Sequence, residues 1–186
     1  MKGVVFDEFV EMVEERFSAE MADKIINASH LSTGGAYTSV GTYDHRELIE
    51  LVRRLSDETG IAVPDLLRIF GEYLFKRFYV LYPSFVTEHD SSFALLSSLD
   101  NKIHVEVKKL YPDAELPRFT HEMRGPENMI LTYRSKRPFG DLAEGLIRGC
   151  IHHYGESITL EREDLPVLEG AHIRFTLTRH PDGRGY

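Results

Sequence analysis

An α+β fold is predicted: an N-terminal helical lobe followed by a lobe made of a four-stranded antiparallel sheet with packed helices. Up to Pro112, apolar residues return every third or fourth position between capping residues and glycine or proline stops, the period of helices with one buried face. Beyond Pro112 the pattern changes to alternation in four stretches, two on each side of a helical segment, as in an antiparallel sheet that carries a helix. The length sets the number of domains: 186 residues with 42% hydrophobic content bury one core well and leave little for a second. One domain is expected over 1–180, with a helical lobe over about 1–62, a second lobe over about 63–180, and a disordered tail at 181–186.

From Lys2 to Phe17, Val5, Phe9, Val13 and Phe17 share one side of an amphipathic helix, and Ser18 caps a shorter helix that runs to about Ala28. SHLSTGGAYTSVGTY is polar, rich in glycine and without period, so it reads as a loop. Asp44 with Glu47 has the form of a capping box, and the helix it starts turns Leu48, Val52 and Leu55 inward before Gly60 ends it. Pro64 and Asp65 open the next helix, with Leu67, Phe70, Leu74, Phe78 and Leu81 on one side and Arg68 and Lys76 on the other; Pro83 closes it. Asp90 and Ser91 then cap a long helix with the stripe Leu96, Leu99, Ile103, Val107, Leu110, stopped by Pro112 and followed by an extended exit at Pro117.

Strands at about Arg118 to Met123 and Met129 to Arg137 flank the turn signal Arg124 to Asn128 and form a hairpin. Gly140-Asp141 starts a helix through Leu142, Leu146, Ile147 and Cys150 that ends near Gly155. SITLERE and HIRFTLTR, joined by DLPVLEGA, complete the sheet.

Two stretches carry chemistry. His104 flanks the apolar stripe of its helix, where an imidazole can meet a cavity at the edge of the core; a partly buried core histidine is the ordinary reading of such a place. In MILTYRSKRPF, alternation puts Tyr133, Ser135 and Arg137 on one face. They form a row of donors in which the planar fork of Arg137 suits a carboxylate, although a solvent-facing strand would also be polar.

Other chemistries find less support. Lys plus Arg is 22 against 30 for Asp plus Glu, a net charge of −8, and phosphate-seeking surfaces are usually basic, so nucleic acid is not an expected partner. Cys150 is the only cysteine, which rules out an intrachain disulfide and a cysteine-rich zinc site. His152 and His153 are neighbours and point about 100° apart on a helix, unsuited to chelating one ion. His30, His45, His89, His121, His172 and His180 are scattered. Gly34-Gly35 lacks the Lys-Ser/Thr of a phosphate loop, and no paired carboxylates stand out, so no enzyme is expected. Charges at Lys2, Asp7 and Glu8 leave no run for a signal peptide or membrane span, and a cytoplasmic protein is expected.

Together MKGVVFDEF, IHVEVKKLYP, the LP that follows and YRSKR resemble, nearly end to end, the heme nitric oxide/oxygen binding (H-NOX) family, stand-alone bacterial type. The resemblance implies a noncovalent heme b between the lobes, with His104 as the axial iron ligand, Tyr133, Ser135 and Arg137 on the propionates and Pro117 packed against the ring. The distal pocket it implies is Val5, Phe9, Leu74, Phe78, Leu142 and Leu146, every one apolar. No Cys-x-x-Cys-His is present, which excludes c-type attachment. The expected ligands are nitric oxide and carbon monoxide, not oxygen, because the position of the family's distal tyrosine is Leu142 and Tyr73 should point elsewhere. The expected output is contact with a signalling protein, a histidine kinase or cyclic-di-GMP enzyme. A rival from another class is a heme-free α+β module for an apolar small molecule or acyl chain.

Overall fold

A computed structural model describes residues 1–180; the predicted disordered tail at 181–186 lies outside the described residues. The helical half contains α1 (Gly3–Arg16), α2 (Ala19–Ala28), α3 (His45–Thr59), α4 (Val63–Leu81), the one-turn α5 (Ser84–Thr87), α6 (Ser92–Ser97) and α7 (His104–Leu110). The second half contains β1 (Arg118–Met123), β2 (Asn128–Ser135), α8 (Gly140–Tyr154), β3 (Ile158–Asp164) and β4 (Ala171–Arg179). No helix among the described residues is long and apolar enough to cross a membrane.

Local chemistry sets the element ends. Ser18, Asp44 and Ser91 each accept a backbone N–H of the turn they cap, and Gly60 and Gly155 close α3 and α8 in the left-handed region that favours glycine. The capping box at Asp44 is only half made. Instead of reaching back to Asp44, Glu47 is buried and collects the Ser32 N–H and the hydroxyls of Ser32, Thr33 and Tyr37, so its charge organises the 30–43 loop.

The long helix expected from Ser91 to Pro112 is interrupted. Leu99–Ile103 form a π-helical turn in which Ile103 N–H donates to Ser98 O and His104 N–H to Leu99 O, each five residues back. In a regular α-helix His104 would lie about 140° round from Leu99; the π turn sets it one full turn below. Leu110, at the foot of the predicted stripe, is exposed, as is Leu81 at the end of α4.

All sheet pairings are antiparallel in the order β1-β2-β4-β3. Met129, Leu131 and Tyr133 of β2 and Ile173, Phe175 and Leu177 of β4 share the inner face, under Ile147, Cys150 and Ile151 of α8. A second core lies within α1 to α4, and Leu146 packs against both cores. The seam is the crossing of α4 and α8, where Gly71 meets Gly145 and the Leu142 carbonyl, and Gly145 meets the Arg68 backbone. A Cβ on Gly145 would overlap the Arg68 carbonyl, which cannot swing aside as a side chain would. Arg68 and Arg162 both reach Asp141 at 2.7 Å, tying the start of α8 to α4 and to β3.

Gly145→Ala should cost about 1–3 kcal/mol by forcing this crossing apart, and urea unfolding of the variant beside wild type measures it.

Candidate functional site

A cavity of about 510 Å³ lies where the π turn, α7, α8, α4 and the edge of the sheet converge, within the range of about 300–1,000 Å³ usual for small-molecule and cofactor sites. Its walls are mostly apolar. Val5 of α1, Leu74 and Phe78 of α4, and Leu142 and Leu146 of α8 line it, as do Leu99, Ile103 and Val107 around His104. Phe9 does not reach it: its ring is fully buried, edge-on to Phe70 at 5.2 Å, among the residues behind that wall. One α-helical turn separates Val5 from Phe9, and α1 brings only the first of them to the cavity.

His104 opens into the cavity directly below the π turn. Its Nδ1 lies 3.1 Å from Asp100 Oδ1, which also accepts the Phe119 backbone N–H at 2.9 Å. A carboxylate only accepts, so this contact assigns the Nδ1–H tautomer and leaves Nε2 with the free lone pair. Burial lowers the His104 pKa and Asp100 acts against it. The imidazole rests 5.9 Å from the Phe119 ring, which lies 5.2 Å from Tyr133 across the β1–β2 pairing.

Tyr133, Ser135 and Arg137 line one corner together, although Arg137 lies past the end of β2 and not on its face. A turn brings it there: Arg137 N–H donates to Ser135 Oγ at 3.0 Å and Phe139 N–H to Arg137 O at 2.9 Å. The Arg137 guanidinium is held at 2.6 Å by Glu115, whose side chain is 78% exposed and therefore readily displaced by another carboxylate. Burial raises the pKa of the Tyr133 phenol, while Ser135 and Arg137 lower it.

Pro117, Tyr82, Tyr111 and the buried Cys150 also line the cavity. The Tyr82 and Tyr111 hydroxyls bond to each other at 2.8 Å, and burial pushes the Cys150 thiol up, away from nucleophilic use. At the mouth Lys2 Nζ donates to Val40 O at 2.6 Å, to Thr42 Oγ1 at 2.9 Å and to Asp113 at 3.1 Å, and Thr42 donates to Asp113 at 2.5 Å. Tyr73 is buried outside the cavity lining, as expected. His152 and His153 are exposed at the end of α8, and no cluster of three metal-ligating side chains occurs among the described residues.

This donor set fits a flat, apolar cofactor with an acidic edge: one oriented imidazole with a free Nε2, apolar walls, and a corner of hydroxyls and guanidinium. Asp100, the partner of His104, was visible in the sequence as an acid four residues upstream. Phe119 and Glu115 left no such signal, because their places depend on the strand pairing and on the turn after Pro112.

A family model described as haem-NO-binding matches residues 2–162. The crystal structure of the Fe(II) unliganded H-NOX protein from K. algicida is 36% identical, with 97% of each chain covered and a TM-score of 0.89. The H-NOX from Shewanella woodyi in its Fe(II)CO ligation state, solved in solution, is 42% identical over 98% of this chain and 96% of its own, with a TM-score of 0.83. An H-NOX protein from S. oneidensis in the Fe(II)NO ligation state shares the fold at a TM-score of 0.89 and 23% identity, with 97% of this chain and 99% of its own covered. No curated protein matches.

Asp100→Ala removes the acceptor of both the His104 imidazole and the Phe119 amide. It should cost about 1–2 kcal/mol of stability, and amide exchange at Phe119 should rise in the same variant.

Proposed function

The chain belongs to the haem-NO-binding family, and from that membership we propose that it is a heme-based sensor of nitric oxide, with His104 holding the iron of a noncovalent heme b in the cavity. The observation that carries this reading is one apolar cavity containing both an imidazole oriented by Asp100 and the Tyr133, Ser135, Arg137 corner. Bound there, heme would supply a ferrous iron with one axial position for a diatomic gas.

Each residue has a task in this reading. Asp100 keeps His104 in the tautomer whose Nε2 is free to coordinate. Arg137 exchanges its exposed partner Glu115 for a propionate, with the Tyr133 and Ser135 hydroxyls as further donors. Pro117, which lines the cavity, would pack against the ring. Selectivity follows from the walls: oxygen gathers negative charge when it binds and needs a facing donor, and Val5, Leu74, Phe78, Leu142 and Leu146 have none. Of the other cavity hydroxyls, those of Tyr82 and Tyr111 bond to each other, which uses one of their two hydrogens. Nitric oxide and carbon monoxide make no such demand, and relatives are known in Fe(II)NO and Fe(II)CO states.

Within this reading the chain is a cytoplasmic receiver and not an enzyme, and its output passes by contact to a histidine kinase or a cyclic-di-GMP enzyme. Loosening of His104 on gas binding would relax the packing at Pro117 and let the helical lobe (about 1–62) shift against the remainder.

Reconstitution with hemin should give a Soret band, and His104→Gly should lose the five-coordinate ferrous spectrum until imidazole is added. A wild-type protein that takes up no heme would overturn the reading.

The reduced protein should respond spectrally to nitric oxide and carbon monoxide yet show no lasting oxygen-bound spectrum in air at room temperature. Leu142→Tyr, which adds a donor to the wall, is the substitution expected to create one; a lasting spectrum in wild type would refute the selectivity.

A further inference from the structure

The charged groups at the mouth of the cavity are almost all satisfied. Asp113 is taken by Lys2 and Thr42, Glu115 by Arg137, and Asp44 by the guanidinium and backbone N–H of Arg46. His45, the first residue of α3, is different. It lines the cavity, and the carboxylate of Asp44 lies 3.6 Å from Nδ1, beyond hydrogen-bond reach and already engaged by Arg46.

Its position beside Arg137 is fixed by packing. The turn that carries Arg137 places Phe139 two residues on, and the His45 imidazole stands edge-on to the Phe139 ring at 6.0 Å. Phe139 is itself buried against the helical core, so the ring that orients His45 is held firmly. One short turn therefore carries both the guanidinium and the ring against which the imidazole rests, and both side chains line the cavity.

We infer that His45 is a second arm of the carboxylate-binding corner and binds an acid group of the cofactor alongside Arg137. This rests on the heme reading above and adds a residue to it. The groups acting on His45 are Arg137, the Met1 amine and Arg46, which oppose its protonation, and Asp44, which favours it. With the cavity free of an anion, burial comes first and the His45 pKa is lowered. An acid group of the cofactor reverses the balance: the imidazolium gains a partner and its pKa rises. The sign follows from that rise. The added retention is fully present at acid pH and is lost as pH increases through the raised pKa.

Transfer of heme to excess apomyoglobin, followed at pH 6 and pH 8.5, tests this. His45→Gln should release heme roughly 3- to 10-fold faster than wild type at pH 6, the effect of one partly exposed charge-assisted contact, and at nearly the wild-type rate at pH 8.5. His45→Lys keeps a cation at both values and should retain heme at pH 8.5 better than wild type. Comparison at matched pH removes any change arising at His104. A nuclear magnetic resonance titration should show the His45 pKa higher in the loaded protein than in the heme-free one. If all three proteins release heme alike at both pH values while Arg137→Ala accelerates loss, the role of His45 falls and the heme reading stands; if wild type binds no heme, both fall.

Discussion

The cavity depends on the backbone contact between α4 and α8. Gly71 and Gly145 let these helices meet with no side chain between them, and the two helices contribute much of the apolar cavity wall, including Leu74, Phe78, Leu142 and Leu146. A wider crossing would move those walls relative to His104, which stands on a different helix. The same contact joins the two cores through Leu146. Close packing at the seam and the cavity beside it are thus two results of one glycine pair: the backbones touch along part of their length, and the longer side chains beyond them fan out around the cavity.

The site combines rigid and replaceable partners. His104 is oriented by Asp100, which is also bound to the β1 backbone through Phe119, so the imidazole is fixed from the sheet as well as from its own helix. Arg137, by contrast, is paired with an exposed glutamate on a loop, a contact of low net strength in water. Such an arrangement keeps the guanidinium, itself only 17% exposed, paired and oriented while its partner stays exchangeable. The difference matches the tasks proposed for the two residues, since a metal ligand needs a constant direction and an anion clamp needs an exchangeable partner.

Much of this was legible in the residues. Alternation found the strands because only one sheet face is buried, and Met129, Leu131 and Tyr133 occupy it. Ser18, Asp44 and Ser91 announced three helix starts because their side chains bond locally. The departures occur where local hydrogen bonds or packing override a constant periodicity. A wheel at a constant angle cannot anticipate a π turn, so periodicity alone puts His104 at the flank of its stripe and not below Leu99. Arg137 was read as strand and reaches the same corner by a turn. Glu47 has the spacing of a capping residue and is drawn instead to four donors of the loop that leads into its helix. His45 had no local signal at all, because its place is set by Phe139, ninety-four positions along the chain.

The edge of the cavity formed by Lys2, Thr42 and Asp113 differs in kind from its interior. There Lys2 and Thr42, at the start of the first helix and the end of the 30–43 loop, meet Asp113 of the segment after α7 through an ammonium, a hydroxyl and a carboxylate. Asp113 is more than half open to solvent, so dissolved ions screen this closure while leaving the buried walls untouched. Parting this seam exchanges a few polar contacts for water, whereas parting α4 from α8 would expose both cores. Separation at this edge therefore costs less than separation at the helix crossing, and added salt lowers that cost at the edge alone.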